Sequence, residues 1–338
     1  MKKTISAAVA LSIFAAPAIA ANLENPLYMP KQGSVYSKTS AGVMYKIADD
    51  SDAHQKKNHD GATEFPIWRV HEELGYGILD NLEAYAKLGY THDGDIDRKG
   101  IHLGRAGLKY RAINTDDGWV WDLYADAQLG GIVEMSGSYA ANGFTYDNYS
   151  TGRWGFHVGT QVGKTWSKFS TAAFVEVLRT FGNDNNSIEI SELKQIRGIP
   201  PFANIPDEIS VDLKSTTELN AGLKAFYQLD DRWSFGGGFT FKHHADNGVE
   251  GLATSLDSNG NPTIATIQQA FVDGLMPIVE DMNDGFDEYI LNLTAAYQMT
   301  DTMQVAVYGE YTFDESHVNS QNGTDVKAEL GVRLNVQF

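Results

Sequence analysis

The sequence predicts an all-β fold, a transmembrane antiparallel β-barrel of about 12 strands with short turns at one end and long loops at the other. Three observations predict it. Apolar and polar residues alternate with a period of two in one segment after another. The connections between those segments alternate between short and long. The chain also opens with an export signal, yet no later stretch supplies the ~20 apolar residues that a membrane-crossing helix needs.

The export signal is read first, because it is excluded from the fold. Lys2 and Lys3 form a positive n-region, and residues 6–16 form an apolar h-region too short to span a bilayer. Pro17 precedes the small-residue signal Ala18-Ile19-Ala20. Cleavage after Ala20 is expected, giving a signal peptide over 1–20, a periplasmic N-terminal segment over 21–33 and a barrel over 34–338. Removal of Lys2 and Lys3 makes a chain already at −18 more acidic. There is no cysteine, which excludes a disulfide framework and a thiolate metal site or nucleophile. A mean hydropathy of −0.30 is too polar for a helical membrane protein and suits a barrel, in which only alternate residues meet lipid.

The strands are read from the alternation over 34–48, 64–78, 82–92, 100–113, 118–131, 153–165, 168–181, 214–229, 232–245, 287–299, 302–314 and 324–338. The last is the cleanest. Val326, Ala328, Leu330, Val332, Leu334, Val336 and Phe338 fall on one face, and Lys327, Glu329, Gly331, Arg333, Asn335 and Gln337 fall on the other. Tyr289, Leu291, Leu293, Ala295 and Tyr297 repeat the pattern, as do Trp233, Phe235, Gly237, Phe239 and Phe241. Aromatics cluster at the ends of the apolar rows, where the girdles of a membrane barrel belong. The second segment is out of phase at Glu72, and a bulge is expected to restore it.

Short turns lie near residues 79–81, 114–117, 167, 230–231 and 300–301. Long loops lie near 49–61, 93–99, 132–152, 182–213, 246–286 and 315–323, with 182–213 and 246–286 the longest. The pattern gives an even strand number with both chain ends on the short-turn side.

Two turns share a sequence, Tyr227-Gln228-Leu229-Asp230-Asp231 and Tyr297-Gln298-Met299-Thr300-Asp301, and the chain ends in an aromatic after an alternating run, Leu330 to Phe338. In these features the chain resembles Gram-negative outer-membrane β-barrel proteins of the porin-like kind. That resemblance implies location in the cell outer membrane, contact with its lipid and lipopolysaccharide, and recognition of Phe338 by the barrel-assembly machinery. It implies no nucleic-acid partner. The motif Asn25-Pro26-Leu27-Tyr28-Met29-Pro30 matches no characterised pattern.

Placing the polar parity inward gives the expected pore lining. It comprises Lys38, Lys46, Arg69, Lys87, Arg105, Lys109, Arg111, Asp122, Asp126, Arg153, Glu176, Lys224, Arg232, Lys242, Glu310, Glu329 and Arg333. Lys164, Glu73, Glu83 and Glu288 share that parity, and the basic members outnumber the acidic ones. The net acidity belongs instead to the loops, and 246–286 holds seven acids with no Lys or Arg. A basic wall favours anions inside a pore. Equally, paired charges can plug a lumen.

Within 246–286, Ile264, Ile267, Phe271, Leu275, Ile278 and Met282 recur at helical spacing, interrupted by Gly274 and Pro277. Such a segment folds into the pore or caps its mouth. The stretch 199–202 is a second candidate constriction.

Catalytic and metal chemistry finds no foothold. No His-x-Ser pattern stands on a strand in the way an outer-membrane phospholipase requires. His243 and His244 point to opposite faces of one strand. The run Asp257 to Asn261 begins like a calcium loop, but Gln268 occupies the twelfth position, where an acid is required. No cofactor is expected. The sequence therefore supports a non-enzymatic, porin-like channel for passive diffusion of small anionic or sugar-like solutes. The alternatives are a non-conducting structural or adhesin-type barrel displaying acidic loops, and a phospholipase-like enzyme.

Overall fold

Val35 begins the first strand beside the last residue of the chain. Its N–H donates to the Phe338 carbonyl at 3.2 Å, and the Phe338 N–H donates back to the Val35 carbonyl at 2.8 Å. This computed structural model describes residues 22–48, 67–93, 98–132, 135–136, 153–189, 208–213, 215–245, 249–253, 286–314 and 325–338. The signal peptide, the helical pattern over 264–282, the stretch 199–202 and the calcium-like run 257–268 lie outside the described residues.

Twelve strands form the wall. They are β1 (Val35–Ala48), β2 (Ile67–Leu79), β3 (Leu82–Asp93), β4 (Arg98–Asn114), β5 (Trp119–Gln128) and β6 (Gly155–Trp166). They continue with β7 (Phe169–Thr180), β8 (Thr216–Gln228), β9 (Trp233–His244), β10 (Phe286–Gln298), β11 (Met303–Asp314) and β12 (Asp325–Gln337). Each pairs antiparallel with its sequence neighbours, and β12 pairs with β1 from Tyr36↔Gln337 to Ala48↔Asp325. The sheet is thereby closed, and no barrel edge is left to pair with another chain.

The other described strands derive from the long loops. Met135–Ser136 adds a short ladder to Lys99 and Gly100 on β4. Asn183–Glu189, Glu208–Leu213 and Val249–Ala253 form a separate three-stranded antiparallel sheet from the segments around β7, β8 and β9.

Burial is inverted relative to a water-soluble protein. Ser170, Ser234, Gln304, Asn335 and Asp122 are buried inside, whereas Leu223, Leu330 and Leu293 on the outside are 62%, 66% and 72% exposed. An apolar belt of that extent is satisfied only by hydrocarbon. Trp119, Trp166, Tyr227 and Trp233 border it at the short-turn end, and Trp68, Tyr90, Trp154 and Tyr311 border it at the other. Among the described residues no helix is long and apolar enough to cross a membrane, so the strands make the crossing.

Inside, tyrosines brace the wall by lying across glycines of adjacent strands. A Cβ on Gly159 would stand 2.4 Å from the Tyr124 ring, and one on Gly331 would stand 2.4 Å from Tyr308. Only glycine leaves room for such a ring flat against the sheet.

Three sequence expectations are corrected. First, the pairing of β1 with β2 runs without a break from Val35↔Tyr76 to Met44↔Ile67. The only shift in β2 lies beyond it, between Gly77 and Leu79. No bulge rotates Glu72 inward, and it stays on the outer face bonded to Ser37 and Thr39. Second, Arg232 is in the exposed turn before β9 and donates to the Tyr297 hydroxyl at 2.9 Å, so it does not face the lumen. The turn takes the residue out of the strand's parity. Third, Lys164 points outward, between the rings of Trp119 and Trp166, and bonds Asp117 at 3.3 Å.

Candidate functional site: the barrel interior and its floor

Residues 22–30 fold back into the short-turn mouth of the barrel. Local chemistry shapes the segment before the wall grips it. Asn22 Oδ1 accepts from the Glu24 N–H at 3.1 Å and Asn25 Oδ1 from the Leu27 N–H at 2.9 Å. These are Asx turns, in which a short side chain mimics the backbone. Gly33, at φ 83°, takes the left-handed turn that leads out of the segment into β1.

The segment then touches strands all round the ring. Asn22 donates to Gln228 of β8 at 2.7 Å and to Ser234 of β9 at 3.0 Å, and it accepts from Gln304 of β11 at 3.0 Å. Asn25 donates to Ser170 of β7 at 3.2 Å. Leu27 packs on Val120 and Ala172. Backbone carbonyls left free by the coil accept from the wall: Pro26 from Gln161 at 3.0 Å, Leu27 from Arg111 at 2.7 Å and Tyr28 from Lys109 at 2.8 Å. Glu24 receives Arg333 at 2.9 and 3.1 Å and Asn335 at 2.8 Å. Each wall partner lies near the short-turn end of its strand, so the segment forms a floor across the lumen.

Above the floor is a cavity of about 520 Å³, lined by Leu23, Glu24, Asn25, Pro26 and Tyr28 below and by charged wall residues around it. Of the residues expected to line a pore, the cavity brings together Lys38, Arg69, Lys87, Arg105, Lys109, Glu176, Lys224, Glu310, Glu329 and Arg333. Arg111 and Asp122 are packed behind the floor, with Arg111 donating to the carboxylate at 2.8 and 3.0 Å. Asp126 and Arg153 are buried in the wall. Lys242 is between Glu218 at 3.9 Å and Glu288 at 3.6 Å. The side chain of Lys46 lies outside the described residues.

Most of these charges are paired. Arg69 meets Glu329 at 3.2 Å, Lys109 meets Glu83 at 3.4 Å and Arg105 meets Asp126 at 3.9 Å. Two positions carry a surplus of positive charge. Glu73 is shared by Lys38 and Lys87, each at 3.3 Å. Lys224 makes no ion pair within 4.0 Å among the described residues and rests over the Phe174 ring at 4.3 Å. Its surroundings on β9 and β10, Gly236, Asn292 and Thr294, are small and neutral. Charged residues thus ring most of the cavity, and Lys224 stands beside the stretch where β9 and β10 present neutral residues to it, the Lys242–Glu288 pair of those strands lying nearer the long-loop end.

Some members were not visible in the sequence. The floor residues belong to no strand, and the only hint was the unassigned motif beginning at Asn25. His102 reaches the interior through a register shift of β4 opposite Gly89 and Tyr90, where its ring nitrogen is 3.0 Å from that of His71. A bulge re-aims one side chain, which simple alternation cannot anticipate. His243 and His244 follow the alternation, the first bonding Asp287 on the outside and the second bonding Glu288. Among the described residues no group of three or more His, Asp or Glu is placed to hold a metal ion.

No family model and no curated protein matches the chain by sequence. By structure, it is similar to an outer-membrane channel from Pseudomonas putida F1, with a TM-score of 0.54 at 11% identity, over 94% of this chain and 99% of that one. The NanC porin aligns at a TM-score of 0.43 and 9% identity over 88% of this chain and 98% of that one. A mutant of the TodX monoaromatic hydrocarbon channel aligns at 0.45 and 9% over 91% and 90%. By fold, the chain is a closed twelve-stranded antiparallel β-barrel of the outer-membrane kind.

Proposed function

We propose that this barrel is a passive channel of the bacterial outer membrane. It admits small anionic solutes from the long-loop end, and residues 22–30 form its constriction. The observation that carries the reading is the polar cavity of about 520 Å³, closed below by the N-terminal segment and holding a lysine, Lys224, that makes no ion pair within 4.0 Å among the described residues and has Glu176 as an acid at longer range. A cation held outside ion-pair distance of its acid, in a cavity with low-dielectric walls, attracts anions more strongly than the same charge in water. Pairing of the remaining charges makes the preference modest. The similar Pseudomonas putida F1 channel has the same architecture, which supports a transport role and no catalysis.

A second reading is favoured by one specific observation. The floor is bonded to the wall on many sides, as expected of a sealed structural barrel. Conductance in planar bilayers separates the two. The intact protein should give brief, anion-favouring openings, and a variant lacking residues 22–30 should give larger and longer ones. A sealed bilayer with both proteins would overturn the channel reading.

A further inference from the structure

Lys224 on β8, Gly238 on β9, Asn292 on β10 and Glu310 on β11 are successive partners in one register row across the inner wall. We propose that this row binds a short peptide with both termini free, a dipeptide in the simplest case. The peptide's carboxylate meets Lys224, its backbone amide meets Asn292 and its ammonium meets Glu310.

The polar groups of the row are unused by the wall. Elsewhere in the cavity acids and bases hold one another, as Arg69 holds Glu329 and Lys109 holds Glu83. Lys224, Asn292 and Glu310 line the same cavity but make no hydrogen bond or ion pair within 4.0 Å with any described residue. Glu176 acts on Lys224 only at longer range, and it is itself engaged by Tyr124 at 2.7 Å and His157 at 3.5 Å. Around Glu310, Arg69 is committed to Glu329, and Lys242 lies between Glu218 and Glu288. A few convergent polar groups left open by the wall are what fixes a solute in a pocket.

The two charges are opposite and well separated. Three strand spacings lie between Lys224 and Glu310, ~14 Å from backbone to backbone. The lysine stem and the glutamate side chain close part of that gap from its two ends. An α-amino acid carries both charges on one carbon and reaches only one of them. A dipeptide holds its charges about two residue lengths apart, ~7 Å.

The middle of the row is open and amide-lined. A Cβ on Gly238 would stand 3.1 Å from Asn292 Oδ1 and 3.2 Å from Nδ2, so the amide lies over the glycine, between the two charges. A side-chain amide both donates and accepts, which is the complement of a peptide bond. A simple anion meets Lys224 and is repelled by Glu310, and a simple cation meets the reverse.

The inference rests on the reading of this cavity as a solute path, and its test measures binding apart from conduction. Saturation-transfer NMR on the detergent-solubilised protein compares glycylglycine with N-acetylglycylglycine, which lacks the ammonium, and glycylglycinamide, which lacks the carboxylate. Glycylglycine should bind several-fold more tightly than either. Glu310→Gln should weaken glycylglycine several-fold without weakening N-acetylglycylglycine. Lys224→Gln should weaken glycylglycine several-fold without weakening glycylglycinamide. The heat-dependent gel shift of a folded barrel verifies that each variant has assembled, and the comparison of the three compounds needs no variant. Equal affinity for the three, or an equal loss for all of them in either variant, would overturn the proposal. Selective binding by a protein that seals a planar bilayer upholds the site and overturns the channel reading. Conductance without selective binding does the reverse.

Discussion

Arg333 Nη1 donates to both carboxylate oxygens of Glu24, at 2.9 and 3.1 Å, across 309 positions of sequence. One partner is on the last strand of the wall and the other on the segment that floors it. The contact therefore joins barrel closure to the state of the lumen. A charge-assisted hydrogen bond of this kind contributes ~1.5–3 kcal/mol when its loss strands a partner. Glu24→Ala should accordingly raise the fraction of time the floor is displaced by ~10-fold or more. Single-channel recording reads this directly as open probability. An open probability equal to that of the unaltered protein would show that Glu24 does not hold the floor.

Lys224 should set the ion preference. Lys224→Glu replaces a cation that makes no close ion pair with an anion on the same wall, so the reversal potential in a salt gradient should shift toward cation preference. Lys164→Glu, on the outer face, should leave it unchanged. Equal effects from the two would contradict the placement of these side chains.

Asp122 is fully buried and holds Arg111 through two hydrogen bonds and Gln161 through a third at 2.8 Å. Removal of the carboxylate leaves a guanidinium buried without its counter-ion, a loss of ~3–5 kcal/mol. Asp122→Ala should lower the midpoint of urea unfolding from lipid vesicles. It should also loosen the Leu27 carbonyl, which the same arginine holds at 2.7 Å.

Gly159 tests the bracing of the wall. Gly159→Val forces a side chain into the plane of the Tyr124 ring, and overpacking of this kind costs ~1–3 kcal/mol. Gly236→Ala, where the nearest atoms are 3.7 Å away, should be nearly silent. The comparison is read from thermal unfolding of the two variants.

Acid should loosen the turn between β8 and β9 at a definable pH. Asp230 Oδ1 accepts from the backbone N–H of Trp233 at 2.7 Å and of Arg232 at 2.8 Å, and these bonds hold its carboxyl below the ordinary range. A lowered carboxylate pKa stabilises the fold above the unfolded value of ~3.9, and that contribution is lost as pH falls through the folded value. Amide exchange at Trp233 should therefore be slow at neutral pH and accelerate, relative to intrinsic exchange, only below pH ~4. Asp230→Ala should abolish that step.

The wall was legible because a strand in a barrel has a two-residue repeat and little else to decide. Leu330 to Phe338 announces its faces, and its partners announce theirs. The reading failed where one residue answers to something other than parity. Arg232 is four residues past the end of β8 and immediately before β9, and the turn chemistry of Asp230 determines its direction. Glu72 obeys parity but breaks the polarity rule, because hydroxyls on β1 meet it on the outer face. The floor was illegible for a different reason. Asn22, Glu24 and Asn25 have no periodicity, and their partners Ser234, Gln304 and Arg333 are more than 200 residues away. Counting basic residues on the inner parity also overstated the positive charge, since Glu24 enters from outside the wall and Arg232 and Lys164 leave it.

The most direct test of the account fixes the floor in place and then releases it. Asn25 Nδ2 is 3.2 Å from Ser170 Oγ, and the chain has no cysteine to compete. The double variant Asn25→Cys, Ser170→Cys, oxidised in a planar bilayer, should show no conductance, and adding reductant to the same bilayer should restore anion-favouring openings. Identical conductance before and after reduction, with the disulfide verified by mass, would contradict the claim that residues 22–30 are the constriction of a channel.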